Sequence, residues 1–183
     1  PLNILRLGTS GSLQRDIPVD SLVAGTFGIG LDNLLHFYHL ENNTEEAYVL
    51  TEFLKHTGLS GTAIQPYIAQ ASMRLLNHFI EGFHHGITVT CPGFYAPQGR
   101  VLRQPLALPN LVNALATFKQ GAHFVSNFEM ETSAIYGLGR IMGHHCLSIN
   151  TIIANRQSKT FSKNAAQSIE NMITKSLAII ENL

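Results

Sequence analysis

Glu129 and Glu131 stand on either side of Met130 in Asn127-Phe-Glu-Met-Glu-Thr-Ser-Ala-Ile-Tyr-Gly-Leu-Gly-Arg140, a segment that is otherwise mostly apolar. A charge in such surroundings needs a partner. One reading is structural: both acids cap and pair at a helix start, where free backbone N–H groups favour negative charge, with Thr132 or Glu131 as the cap. The other is functional: one of them grips vicinal hydroxyls of a ligand. Gln98-Gly-Arg100 is a second candidate. The glutamine amide offers an acceptor and two donors and the arginine a fork of donors, so together they can read the edge of an amide-containing ring such as uracil. The plain alternative is a solvated loop arginine. A third group is Arg6 with the Thr9 and Ser10 hydroxyls around Gly8-Thr-Ser-Gly11, predicted as a turn after a strand. A guanidinium beside hydroxyls and backbone N–H groups makes an oxyanion or phosphate cradle, and the alternative is an ordinary strand-to-loop turn. Neither Gly-x-x-x-x-Gly-Lys nor Gly-x-Gly-x-x-Gly spacing is present.

These groups need elements that end beside one another. From Thr132 onward Ala134, Ile135, Leu138, Ile141 and Met142 recur at helical spacing, and Cys146 to Ala154 reads as a buried strand. The two acids therefore sit where a loop enters a packed helix. Leu2 to Leu7, Ser21 to Ala24 and Ile87 to Cys91 read as further strands. Ile64 to Ala69 reads as an edge strand, because Pro66 cannot donate to a ladder. Apolar spacing predicts helices over 47–56, 71–83, 111–119 and 165–183. Glu41 to Glu46 is predicted as an exposed loop, and Gly25 to Gly30 is glycine-rich. The loop Pro92 to Arg100, with two prolines and two glycines, follows a strand, a position that commonly carries function. Strands alternate with helices and no linker divides them, so 1–183 is expected to be one α/β domain with a largely buried sheet.

Composition sets the outer bounds. The chain has 183 residues, 45% hydrophobic and 13% charged, enough for a compact core and unlike a disordered tail. Twelve basic residues balance twelve acidic ones, so no general basic field draws nucleic acid or anionic lipid, and any phosphate must be held locally. Cys91 and Cys146 both lie in strand-like runs and read as reduced core residues of a cytoplasmic protein. No apolar run reaches the roughly eighteen residues of a membrane span, and no charged-then-apolar start suggests a signal peptide. His84-His85 and His144-His145 are adjacent pairs without zinc-site spacing, so no metal is expected. The chain starts with Pro1 and enters a strand at once, so an N-terminal part is expected to be missing.

Arg6-Leu-Gly-Thr-Ser-Gly-Ser-Leu-Gln14, Phe94-Tyr-Ala-Pro-Gln-Gly-Arg100, Asn127-Phe-Glu-Met-Glu131 and Ile152-Ile-Ala-Asn-Arg156 resemble four successive signatures of the uridine phosphorylases, within the nucleoside phosphorylase superfamily. They come in the family's order across most of the chain. The resemblance implies a three-layer α/β/α sandwich with a mixed central sheet. It also implies reversible phosphorolysis of uridine to uracil and ribose 1-phosphate, in pyrimidine salvage. No cofactor is implied, inorganic phosphate being a co-substrate, and a homodimer or hexamer would complete each site from a neighbouring subunit. By the same resemblance Arg6 and Thr9 contact phosphate, and Gly11 and Phe94 lie beside the base. Gln98 and Arg100 hydrogen-bond its edge, Met130 and Thr9 touch the sugar, and Glu131 holds the ribose hydroxyls. Glu129 supports the turn, while Ile153, Ala154 and Arg156 line and close the base pocket. Arg6, Arg100 and Glu131 are the expected catalytic residues.

Two departures bear on this. Purine-specific members carry an aspartate in the strand that here reads Asn150-Thr-Ile-Ile-Ala-Asn155, without an acid. The family's Gly-Asp-Pro phosphate loop and the histidine lent across the interface would precede Arg6. A nucleosidase using water, or a non-catalytic nucleoside-binding module, are the alternatives.

Overall fold

The computed structural model describes residues 1–181. In chain order its elements are β1 (Asn3–Ser12), β2 (Leu22–Gly30), α1 (Thr44–Thr57), β3 (Tyr67–Gln70), α2 (Met73–Leu76) and β4 (His84–Thr90). There follow α3 (Leu111–Thr117), β5 (Lys119–Gln120), β6 (His123–Glu129), α4 (Thr132–Ile141), β7 (His145–Asn155), β8 (Thr160–Phe161) and α5 (Ala165–Ile180). Short 3₁₀ turns lie at Leu34–Phe37 and Ala96–Gln98.

The strands form a mixed sheet in the order β3-β2-β4-β6-β1-β7-β8. The β2–β4, β4–β6 and β1–β7 pairs are parallel, whereas β2–β3, β1–β6 and β7–β8 are antiparallel. The start of β2 also pairs with β7, which closes the inner strands into a ring. Both faces are covered. Val49 and Phe53 of α1 and Leu115 of α3 pack with Ile68, Ile87 and Val89 on one side. Leu75 of α2, Tyr136 of α4 and Met172 of α5 pack with Ala69, Leu147 and Ile149 on the other. Ile68 and Ala69 are consecutive in β3 yet join opposite cores, as the two-residue period of a strand requires. The architecture is the expected three-layer α/β/α sandwich.

Several local expectations are corrected. Gly8 to Gly11 is not a turn after a strand, because β1 runs on to Ser12 with these residues paired to β7. Gly25 to Gly30, read from the sequence only as glycine-rich, lies inside β2. A Cβ at Gly28 would come within 2.7 Å of the Ser133 Cα, so the glycine lets the start of α4 lie directly on β2. The predicted helix over 71–83 shrinks to Met73–Leu76, and that over 47–56 begins earlier, at Thr44. The stretch expected as an exposed loop thus contains a capping box between Asn43 and Glu46. Glu46 is fully buried, and its carboxylate accepts from the Gln70 N–H at 2.6 Å and pairs with Arg140 at 2.6 Å. Residues 182 and 183, the end of the predicted last helix, lie outside the described residues. Both cysteines are buried and free.

Candidate active site

Parallel strands β4 and β6 end side by side, with Thr90 opposite Glu129, and the chain turns there into α4. Crevices beyond the carboxyl ends of strands are where sheets of this class bind ligands. The Glu129 side chain is 2% exposed. Its carboxylate accepts the Thr90 hydroxyl at 2.8 Å, the Glu131 N–H at 2.9 Å and the Thr132 N–H at 3.0 Å. It therefore supplies the acceptor that neither Glu131 nor Thr132 gives α4. Glu131 occupies the N-cap position without a side-chain cap bond, and the Thr132 hydroxyl donates instead to Ser148 Oγ at 2.8 Å. Burial raises the Glu129 carboxyl above the ordinary carboxylate range, opposed by the Arg6 charge and these donors.

Arg6 reaches this cluster along β1. Its register partner on β7 is Ser148, and that of Gly8 is Asn150. A Cβ at Gly8 would sit 2.4 Å from Arg6 Nη1, so the glycine lets the guanidinium lie flat along its own strand. Nη1 donates to Asn150 Oδ1 at 2.8 Å and to Ser148 Oγ at 3.3 Å. Nη2 is 3.2 Å from Glu129 Oε2 and bonds the Glu131 carboxylate. Deeper in the sheet, Asn127 Nδ2 donates to Ser10 Oγ at 2.8 Å and Asn127 Oδ1 accepts from Thr88 at 2.9 Å, tying β6 to both neighbours.

The second wall comes from the loop after β4. Gly99 has φ +70, which the turn needs a glycine to adopt. Gln98, though in a loop, is 5% exposed, and its Oε1 accepts from Arg100 Nη1 at 2.6 Å. The same Nη1 donates to the Phe94 carbonyl at 2.6 Å, and the guanidinium lies 3.7 Å from the Phe94 ring centroid. Burial, then the charge of Arg156, draws the Arg100 pKa down, although an arginine stays protonated at neutral pH.

One cavity of about 320 Å³ is lined by both walls. It brings together Arg6, Thr9 and Gly11 from β1, Phe94, Gln98 and Arg100 from the loop, Met130 and Glu131 from the turn, and Ile153 and Ala154 from β7. Arg156 is the exception. It lines an adjoining hollow that shares Arg100, Ala154 and Phe161 with the cavity, and its guanidinium stands 5.5 Å from the Phe128 ring centroid. Phe128, next to Glu129, and Phe161, which a two-residue strand brings to the rim, also line the cavity, and neither carries a sequence signal of its own. The same holds for Ser148, whose contact with Arg6 depends on strand register alone.

The family model for the phosphorylase superfamily matches residues 1–181. The chain belongs to this superfamily. It is similar to a uridine phosphorylase of Thermococcus kodakarensis, with 26% identity over 162 residues, which is 87% of this chain and 50% of that protein. The chain thus spans about half the length of that relative. It is also similar to a crystal structure of a Trypanosoma brucei nucleoside phosphorylase described as showing uridine phosphorylase activity. There the TM-score is 0.86 at 26% identity, over 97% of this chain and 62% of that one. Among the described residues no helix is long and apolar enough to cross a membrane.

Proposed function

We propose that this superfamily member is a uridine phosphorylase, converting uridine and phosphate reversibly to uracil and ribose 1-phosphate in pyrimidine salvage. The observation that carries the reading is that a paired arginine and acid and an arginine-glutamine fork line the same cavity, together with the aromatic rings of Phe94, Phe128 and Phe161. Cleaving an N-glycosidic bond develops positive charge on the sugar and negative charge on the departing base, and rate is gained by stabilising both. Arg6 and Thr9 hold phosphate below the anomeric carbon. Glu131 takes the ribose hydroxyls, with Met130 against the sugar and Glu129 fixing the turn. Arg100 and Gln98 take the carbonyl edge of uracil and the charge that gathers there. Phe94, Gly11 and Ile153 enclose the ring, and Arg156 adds a positive charge beside Arg100. Phosphate is the nucleophile, so no covalent enzyme intermediate, metal or organic cofactor is needed.

The pyrimidine preference is supported by β7. Asn150 is engaged by Arg6, and Asn155 donates to the Gln14 and Ile17 carbonyls while accepting the Gln157 and Ser158 N–H groups. No acid stands there to protonate a purine. A cytoplasmic homodimer or hexamer, with each site completed by a neighbouring subunit, belongs to the same proposal.

Hydrolysis is the second reading, favoured by one observation: Arg6 already faces two carboxylates, which weakens its hold on a phosphate dianion. Uridine turnover with and without inorganic phosphate separates the two. Release of uracil and ribose 1-phosphate only when phosphate is present is the expected result. Undiminished uracil release without phosphate makes the protein a nucleosidase, and uridine binding without turnover makes it a binding module.

A further inference from the structure

Arg6 faces both Glu129 and Glu131, but the two acids are held very differently. The Glu129 side chain is 2% exposed and is fixed by the Thr90 hydroxyl and two backbone N–H groups as well as by Arg6. The Glu131 side chain is 53% exposed, and among the described residues its carboxylate is bonded to Arg6 alone. Arg6 is anchored from behind, where Nη1 is taken up by Asn150 and Ser148. An anion that comes to the outer edge of this guanidinium therefore displaces Glu131 and leaves Glu129 in place. A diol that takes the Glu131 carboxylate breaks the same pair from the other side.

We infer that phosphate and nucleoside bind with positive coupling, because each must break the Arg6–Glu131 pair and the first to bind bears that cost for both. Phosphate at Arg6 and ribose at Glu131 are the assignments on which this coupling rests. Linkage makes the effect reciprocal: the factor by which the anion tightens nucleoside binding equals the factor by which nucleoside tightens the anion. An ion pair whose acid is half exposed is a weak one, so the factor is small, about fivefold at most. Glu131 thereby acts as a placeholder on the phosphate-binding arginine before it acts as a clamp on the sugar. Its removal has opposite consequences for the two ligands. A residue that only holds ribose would leave anion affinity unchanged.

The test is calorimetric titration of the wild-type protein and of Glu131→Gln with uridine and with inorganic sulfate, an anion of phosphate's shape that gives no turnover. Arg6→Ala serves as the control for sulfate bound elsewhere. Sulfate is expected to tighten uridine binding to the wild type severalfold, and uridine to tighten sulfate by the same factor. Glu131→Gln is expected to bind sulfate more tightly than the wild type, to bind uridine more weakly, and to show a coupling factor near one. Unchanged or weaker sulfate binding by Glu131→Gln, or independent binding of the two ligands to the wild type, overturns the inference. Uridine failing to bind the wild type under either condition overturns the uridine assignment instead, while the sulfate comparison still decides the exchange at Arg6. Sulfate that binds neither protein, or binds Arg6→Ala equally well, overturns the exchange itself.

Discussion

The two ends of the cavity have opposite charge balances and opposite mountings. At one end a single cation, Arg6, faces two carboxylates carried by strand ends and the start of α4. At the other, Arg100 and, across the adjoining hollow, Arg156 and Lys159 have no carboxylate partner among the described residues, and they sit on loops. With the nucleoside placed as proposed, sugar at Glu131 and base at Arg100, this polarity is the one that glycosidic cleavage requires. The mountings differ for a physical reason as well. A buried carboxylate needs donors fixed in place, which strand ends and a helix N-terminus supply. A stacked guanidinium needs only an aromatic face and two carbonyl oxygens, which a glycine-bent loop provides.

The contrast can be broken at its positive end first. In the proposed reaction Arg100→Ala leaves the departing base without its nearest counter-charge, so kcat/KM for uridine should fall by about 100-fold or more. An unchanged value in a steady-state assay would remove Arg100 from the mechanism and the charge asymmetry from its explanation. At the negative end the largest effect should be on stability. Glu129→Ala strips the start of α4 of its acceptor and leaves the buried Thr90 hydroxyl without one, so unfolding free energy should drop by about 2 kcal/mol in urea titration. A loss equal to that of an exposed surface substitution would mean that the carboxylate is not holding the turn.

A smaller effect sharpens the loop side. Phe161 stands on the cavity rim and is 76% exposed, so Phe161→Ala should raise KM for uridine by about threefold to tenfold with little change in kcat. A fall in kcat alone would assign it another role. The smallest effect concerns pH. Because burial raises the Glu129 carboxyl above its ordinary 4.5, the folded state holds that proton more tightly than the unfolded chain. The stabilisation this gives is complete below pH 4.5 and is lost as pH rises through the folded value. Glu129→Gln cannot titrate, so its Tm relative to wild type should climb across that rise. A difference in Tm that is flat with pH would contradict the raised pKa.

Sequence alone reached much of this cavity's lining because its parts are local. The acid-bearing entry to α4, the strand before it and the Gln98-Gly-Arg100 loop are each written in a few consecutive residues. What escaped depends on register and close approach. Gly8 reads as a turn residue by type, yet it serves the Arg6 side chain that crosses it, a relation visible only once β1 is laid against β7. Glu46 reads as solvated by its polar neighbours, yet Gln70 and Arg140, far along the chain, make it a buried acceptor. Phe161 comes from a two-residue strand too short for any periodicity. By type and position Glu131 or Thr132 reads as the cap of α4, whereas the acid that performs it belongs to the preceding strand.

In the proposed reaction one pyrimidine nucleoside spans the two ends of this cavity, and a crystal structure of the protein with uridine and sulfate is the decisive measurement. Density is expected for the uracil carbonyl edge at Gln98 and Arg100, with the ribose hydroxyls at Glu131 and sulfate at Arg6. Uridine bound with its base toward Glu131, or bound outside this cavity, would contradict it.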